Sequence, residues 1–409
     1  MTREENIYQE IMEFASQVPV INTHCHHYND EEFVGFTLKK LINESYVAWV
    51  NPIPDDVEVP SQEWFDRMLC NNVFYWLERG IQQQYDTKLK LTRENFTTLS
   101  SMMEKAYRNP DFHLELMNRN GYRRILFDCY WNPGSDNGHP EIITPVFRVN
   151  MFFYGYSQES ACHNGFNPIK RFGMEEPEDI DDYCQKVFEV LKTARKNGSV
   201  ALKSALPYDR GLNLVDWEKS DANHAFLRCM KGTGELQDIE KFQGYMLARL
   251  CEMAAQLDLP FQMHTGLGKL VHSNAMWLQP FIESHPETKF VLLHGSYPWT
   301  DDMLALCHHY RNVYPDICWM PVLSTAFAER FLDDLLETSR ADGICWGCDT
   351  WTSEESCGAL LAARHVFAGL LSKKVVAGRI DLNDAMKVVR MIFFDNANRL
   401  YFDNQVSAE

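Results

Sequence analysis

Two hydrophobic periods divide the chain. Residues 3–17 carry apolar positions at three- and four-residue spacing and read as a helix leading into an apolar strand at about 18–24. That strand runs into Thr23-His24-Cys25-His26-His27. From 31 to 118 the helical period takes over, in segments at 33–47, 62–83 and 93–107 that are broken by Pro52, Pro54 and Pro60 and stopped by Asn109-Pro110. The pattern predicts a helical insertion after the first strand, acting as packing or as a lid over the strand ends. Beyond it, short apolar runs alternate with helical stretches. Strands are expected at 124–128, 143–151, 199–203, 259–264, 289–294, 313–317 and 343–347. Helices are expected at 180–196, 235–257, 275–284, 303–310 and 327–338, with a helical tail at 354–371, 381–391 and 395–401. Eight strands alternating with helices predict an α/β fold, a closed (β/α)8 TIM barrel. It would span 1–409 as one domain, with the insertion 31–118 as a lid or subdomain.

Composition narrows the role. At 409 residues and 45% hydrophobic, the chain can bury a large core. Its net charge of −18 argues against nucleic acid or an anionic membrane as partner, since both demand basic surface. A small anionic substrate stays open, because one local Arg or Lys can hold it. No run of about 18 apolar residues stands out, so no membrane span is expected. The polar N-terminus does not read as a signal peptide, and the 12 scattered cysteines read as reduced thiols of a cytoplasmic protein. Cys345-Trp346-Gly347-Cys348 has redox or zinc spacing, but it has no second pair and ends an apolar run rather than opening a helix. Homo-oligomerisation is left open.

In such a barrel the active site lies at the C-terminal ends of the strands. His24 and His26 are two residues apart, so on a strand both point to one face while Cys25 packs on the other. Lys203 lies in the fourth strand, His264 ends the fifth, His294 ends the sixth and Asp349 follows the eighth. Each has an ordinary alternative. His264 and His294 stand before glycine turns, and Asp349 could cap a helix. Lys203 is the odd one, because a buried unpaired ammonium is costly. What singles these residues out is that four imidazoles, a carboxylate and a lysine would meet at one barrel mouth. Around it, Tyr130, Trp131, Tyr208, Trp299 and Trp351 are candidate walls. His27 is a candidate substrate contact, and Lys269 and His272 are weaker ones.

The set resembles the amidohydrolase superfamily, in which a His-x-His from strand one, a carboxylated lysine from strand four, histidines from strands five and six and an Asp from strand eight hold one or two divalent metals. The stretches 201–212, 264–268 and 291–298 resemble the branch that includes the amidohydrolase-like domain fused to glutamine synthetase in some plants and fungi. The insertion is similar to that of uronate isomerases. The resemblance implies that His24, His26 and Asp349 hold one ion, that His264 and His294 hold another, and that N-carboxylated Lys203 bridges them. Zinc suits this set best, with manganese, iron or nickel as alternatives. It also implies that Asp349 acts as general base and acid. Where compared members often have Tyr-Arg, this chain has Tyr208-Asp209-Arg210, so a substrate-binding Arg210 would be shifted by one position. Decarboxylase and uronate isomerase members typically lack the strand-four lysine, so Lys203 favours two metals and hydrolysis.

The expectation is therefore a metal-dependent hydrolase. It would cleave an amide, ester or lactone bond of a small, carboxylate-bearing substrate, with His27, Tyr208, Arg210 and Trp351 as substrate contacts. The alternatives are a single-metal decarboxylase or uronate-isomerase-like enzyme and, in another class, a non-catalytic metal-binding barrel.

Overall fold

Apolar runs bounded by turns become the staves of a barrel. In the computed structural model, residues 2–408 are described. Seven strands follow one another in chain order as a single parallel sheet: β1 (Val20–Cys25), β2 (Tyr122–Phe127), β3 (Ile143–Arg148), β4 (Ala201–Ser204), β5 (Phe261–His264), β6 (Phe290–Leu293) and β7 (Val313–Pro315). Helices between them cover the outside. β1, β4, β5 and β6 are buried along their whole length, as strands enclosed on both faces must be.

The expected eighth strand departs from a regular ladder, yet it closes the ring. Cys345 N–H donates to Pro315 O at 3.0 Å and Cys345 O accepts from Ile317 N–H at 3.0 Å, on the β7 side. On the β1 side, Trp346 O accepts from Thr23 N–H at 3.3 Å and Asp349 N–H donates to His24 O at 2.9 Å. Between these, Cys348 N–H donates to the Asn22 side chain at 2.9 Å, so a side chain stands where a ladder carbonyl would. Gly347 permits the approach, since a Cβ there would lie 2.7 Å from His24 N. The fold is a TIM barrel.

The insertion is helical but more broken than its period suggests. The expected helix at 62–83 splits into Gln62–Arg67 and Asn72–Gln84, because Cys70 adopts a positive φ of 63° and Asn71 caps the second piece through Phe74 N–H. The 33–47 segment shrinks to Leu38–Asn43 and Val47–Val50, the first capped by Thr37. Helix Asn72–Gln84 crosses the tail helix Ser353–Val376 where two glycines meet. A Cβ on Gly80 would lie 2.6 Å from Glu354 O, and one on Gly358 would lie 2.5 Å from Trp76 O. The tail then returns beneath the barrel, where Asn396 donates to Ile344 O at 2.8 Å and Tyr401 accepts from Gln262 at 3.0 Å. No described helix is long and apolar enough to cross a membrane. All twelve cysteines are free, and Cys345 and Cys348 are buried.

Candidate active site

The strand ends bring the six expected residues together in one buried cluster. His24 and His26 sit on the same side of β1, their rings edge-to-face at 4.8 Å. Both Nε2 atoms approach one oxygen, Asp349 Oδ1, at 3.2 and 3.1 Å. His26 Nδ1 lies 2.8 Å from Asp128 O, a carbonyl that can only accept, so the Nδ1 proton is spent there. With Nδ1 so committed, Nε2 is the His26 atom that faces Asp349 Oδ1, and a cation could sit between them. His264 donates through Nε2 to Leu267 O, which leaves its Nδ1 lone pair 3.0 Å from His294 Nε2. His294 Nδ1 stands 3.7 Å from Asp349 Oδ2, and His24 Nδ1 is buried without a hydrogen-bond partner.

Burial keeps the His24, His264 and His294 rings neutral. It pushes His24 down to about 3, with the Lys203 charge adding to the effect, and His294 down to about 4. His264 is held well below the usual imidazole range by burial and by its neighbour His294. Burial opposes ionisation of Asp349, but the adjoining His24 and His294 outweigh it and hold the carboxyl well below its usual range. The neutral imidazoles of His24, His264 and His294 and an ionised carboxylate, with ligand-type atoms 3.0–3.2 Å apart, are the chemistry a divalent ion of the zinc type requires. The backbone is constrained here too. His294, Trp319 and Asp349 all adopt positive φ, at 66°, 66° and 59°, which non-glycine residues tolerate only where the surroundings enforce it.

Lys203 is buried, its Nζ 3.0 Å from His24 Nε2 and 3.9 Å from Asp128 Oδ2. Burial lowers its amine to about 8, and Asp128 acts in the opposite direction. Asp128 also carries a two-pronged bond from Arg148, whose Nε reaches Oδ1 at 3.0 Å while Nη2 meets Oδ2. Burial disfavours the Asp128 charge, but Arg148 and then Lys203 hold the carboxyl below its usual range. Asp128 and Arg148 were missed by the sequence reading, although the strand-end rule that found Lys203 applies equally to them at β2 and β3.

A cavity of about 200 Å3 opens over the cluster. His26, Lys203, His264 and Asp349 form its floor, and Arg148, His163 and Asn164 form one side. Tyr130, Tyr208 and Trp351 wall it as the sequence suggests, with Trp351 stacked on His26 at 5.5 Å and Tyr208 tilted against His264 at 4.7 Å. The insertion contributes Tyr46 and Trp49, which no local pattern pointed to.

Two expected contacts lie elsewhere. The Arg210 guanidinium turns to Gln243 Oε1 at 3.0 Å and Asn213 O at 3.4 Å, so it braces the long helix Leu236–Gln256 instead of the pocket. Arg148 is the guanidinium at the cavity. His27 lies on the other face of the chain from His26, as alternation requires, buried against His113 Nδ1 at 2.9 Å. Trp131 packs on Phe127, and Lys269 is drawn to Asp209 O.

Residues 210–402 match the amidohydrolase family model. Protein fluG of Emericella nidulans is 35% identical over 227 residues, a stretch that takes in 50% of this chain and 26% of that longer protein. Among solved structures, uronate isomerase from Thermotoga maritima superposes with a TM-score of 0.78 at 14% identity, covering 97% of each chain. Glucuronate isomerase from Caulobacter crescentus gives 0.77 at 16% identity, covering 98% of this chain and 95% of its own. A protein described as a metal-dependent hydrolase from Lactobacillus casei gives 0.71 at 17% identity, covering 97% and 98%. The chain thus resembles the amidohydrolase family over residues 210–402 and shares its barrel fold, over nearly its whole length, with these solved structures.

Proposed function

We propose that this chain is a metal-dependent hydrolase acting on an amide, ester or lactone bond of a small, carboxylate-bearing substrate. The observation that carries the reading is Lys203. Its buried amine faces the imidazoles, and the nearby Asp128 carboxylate is already paired with Arg148. A charged lysine there would place a second buried cation beside one carboxylate, in a site built for metal. Loss of one proton frees the amine, and its addition to carbon dioxide releases a second, so the buried cation becomes a carbamate anion with two oxygen donors.

His24, His26 and Asp349 would hold one divalent ion, and His264 and His294 a second, with modified Lys203 between them. Such ions supply an acidified water at neutral pH and polarise a carbonyl. Asp349 takes the proton of the attacking water and returns it to the leaving group. Arg148, fixed by Asp128 and reaching Asn164 Oδ1 through Nη1 at 3.3 Å, is the guanidinium available to a substrate carboxylate. Trp351 and Tyr130 flank His26 and exclude water from that side.

The test is Lys203→Ala, assayed against amides, lactones and N-acyl amino acids and measured for bound metal. The expected result is loss of most activity and of at least one ion. A variant that keeps its full metal content and rate would sink the two-metal reading.

A second reading keeps the metal and changes the reaction to an aldose–ketose isomerisation. It is favoured by the near full-length fold shared with two uronate isomerases, helical insertion included. Turnover of uronates, with no turnover of any hydrolysable substrate, would decide for it.

A further inference from the structure

Outside the barrel mouth, three ligand-type side chains from three separate segments converge. Asp30 opens the short helical turn Asp30–Phe33 just after β1, His113 lies on helix Phe112–Arg119 at the end of the insertion, and His139 lies in the β2–β3 loop. Asp30 Oδ1 is 2.8 Å from His139 Nε2 and 3.3 Å from His113 Nε2. All three donor atoms lie within 4.8 Å of one another. Around a tetrahedral ion with bonds near 2 Å, ligand atoms stand about 3.4 Å apart, so a small adjustment of the His139 loop suffices.

The rings are already oriented. His113 is clamped on Phe33 at 4.3 Å, nearly parallel, and its Nδ1 is 2.9 Å from His27 Nε2. With an Nδ1 proton donated to His27, the His113 Nε2 lone pair is presented to the cluster. Beyond the far nitrogen of His139, the Glu141 carboxylate stands 3.7 Å from Nδ1. An imidazole whose far nitrogen is hydrogen-bonded, as that of His113 is, has the usual support of a bound metal. Asp30 is half exposed, its side chain at 54%, which leaves an open coordination position for water.

We propose a separate divalent-cation site, of the zinc type, formed by Asp30 Oδ1, His113 Nε2 and His139 Nε2. An ion there joins the first and last parts of the insertion to the β2–β3 loop, the same loop that donates from Asn137 to Tyr28 O at 3.0 Å and begins at the pocket wall beside Tyr130. Two imidazoles and one carboxylate suit zinc, cobalt or nickel over calcium or magnesium. The site is independent of the barrel ligands.

Metal-stripped protein is reloaded with zinc, desalted, and its zinc counted by mass spectrometry, for the native chain, His139→Gln and Asp30→Asn. Both substitutions lie on loop or turn residues. The native chain should carry one more zinc than either variant. An anomalous difference map of the native crystal should show a peak among Asp30, His113 and His139, distinct from any peak at His24 and His26. Equal counts in all three proteins, or no peak among these residues, overturns the proposal whatever the barrel site holds. If a variant fails to fold, the native map decides alone.

Discussion

Asp128 lies between two cations, and that placement gives a sharp expectation. Replacing Arg148 with Met leaves a buried carboxylate with only Lys203 nearby and should cost about 3–5 kcal/mol of stability, read by urea unfolding. Adding Asp128→Asn should recover part of the loss, because the unpaired buried carboxylate is then gone. The sign of the pH dependence follows. Arg148 holds the folded Asp128 carboxyl below its unfolded value, so the pair stabilises fully above about pH 4 and its contribution is lost as pH falls through the folded value. In the double variant that part of the acid dependence should vanish. Asp349→Asn keeps the shape of the site and removes its proton carrier. It should lower kcat by roughly 100- to 10,000-fold in protein reloaded with metal. At this scale the six barrel-mouth residues were legible because each meets an apolar run at a strand end. His27 was assigned against the strand alternation that separates it from His26. Arg210 was not legible: its long side chain reaches a neighbouring helix, and no local pattern reports which neighbour it meets.

The insertion is held by a helix crossing that depends on missing side chains. At Gly80 and Gly358 the backbones of Asn72–Gln84 and Ser353–Val376 approach too closely for any Cβ. Gly358→Ala must push the helices apart and should cost about 1–3 kcal/mol. Because the same insertion places Tyr46 and Trp49 over the cavity, limited proteolysis should cut the variant faster within the insertion. Unchanged stability and cleavage would contradict this account of the crossing. Helix and strand existence was readable from the two periods, while the breaks were not. Cys70 carries a positive φ that no apolar spacing announces, and the closing eighth segment replaces a ladder carbonyl with the side chain of Asn22. Tyr46 and Trp49 became pocket residues only through tertiary packing.

For the whole molecule, the barrel gathers six residues from five of its eight staves, with no short segment holding the site by itself. An ion bound there joins β1, β4, β5, β6 and the closing segment, so stripping metal should loosen the fold at several points together. Chelation should lower the melting temperature, and adding back zinc at about 100 times its Kd should restore about 2.7 kcal/mol. Bicarbonate during reloading should raise metal uptake in the native chain and leave Lys203→Ala unaffected. The measurement that tests the central claim most directly is a crystal structure of the protein reloaded with zinc and bicarbonate, with anomalous data. The account predicts two ions among His24, His26, His264, His294 and Asp349, bridged by a carbamate on Lys203. A single ion, or none, beside an unmodified Lys203 amine still facing Asp128 would contradict it.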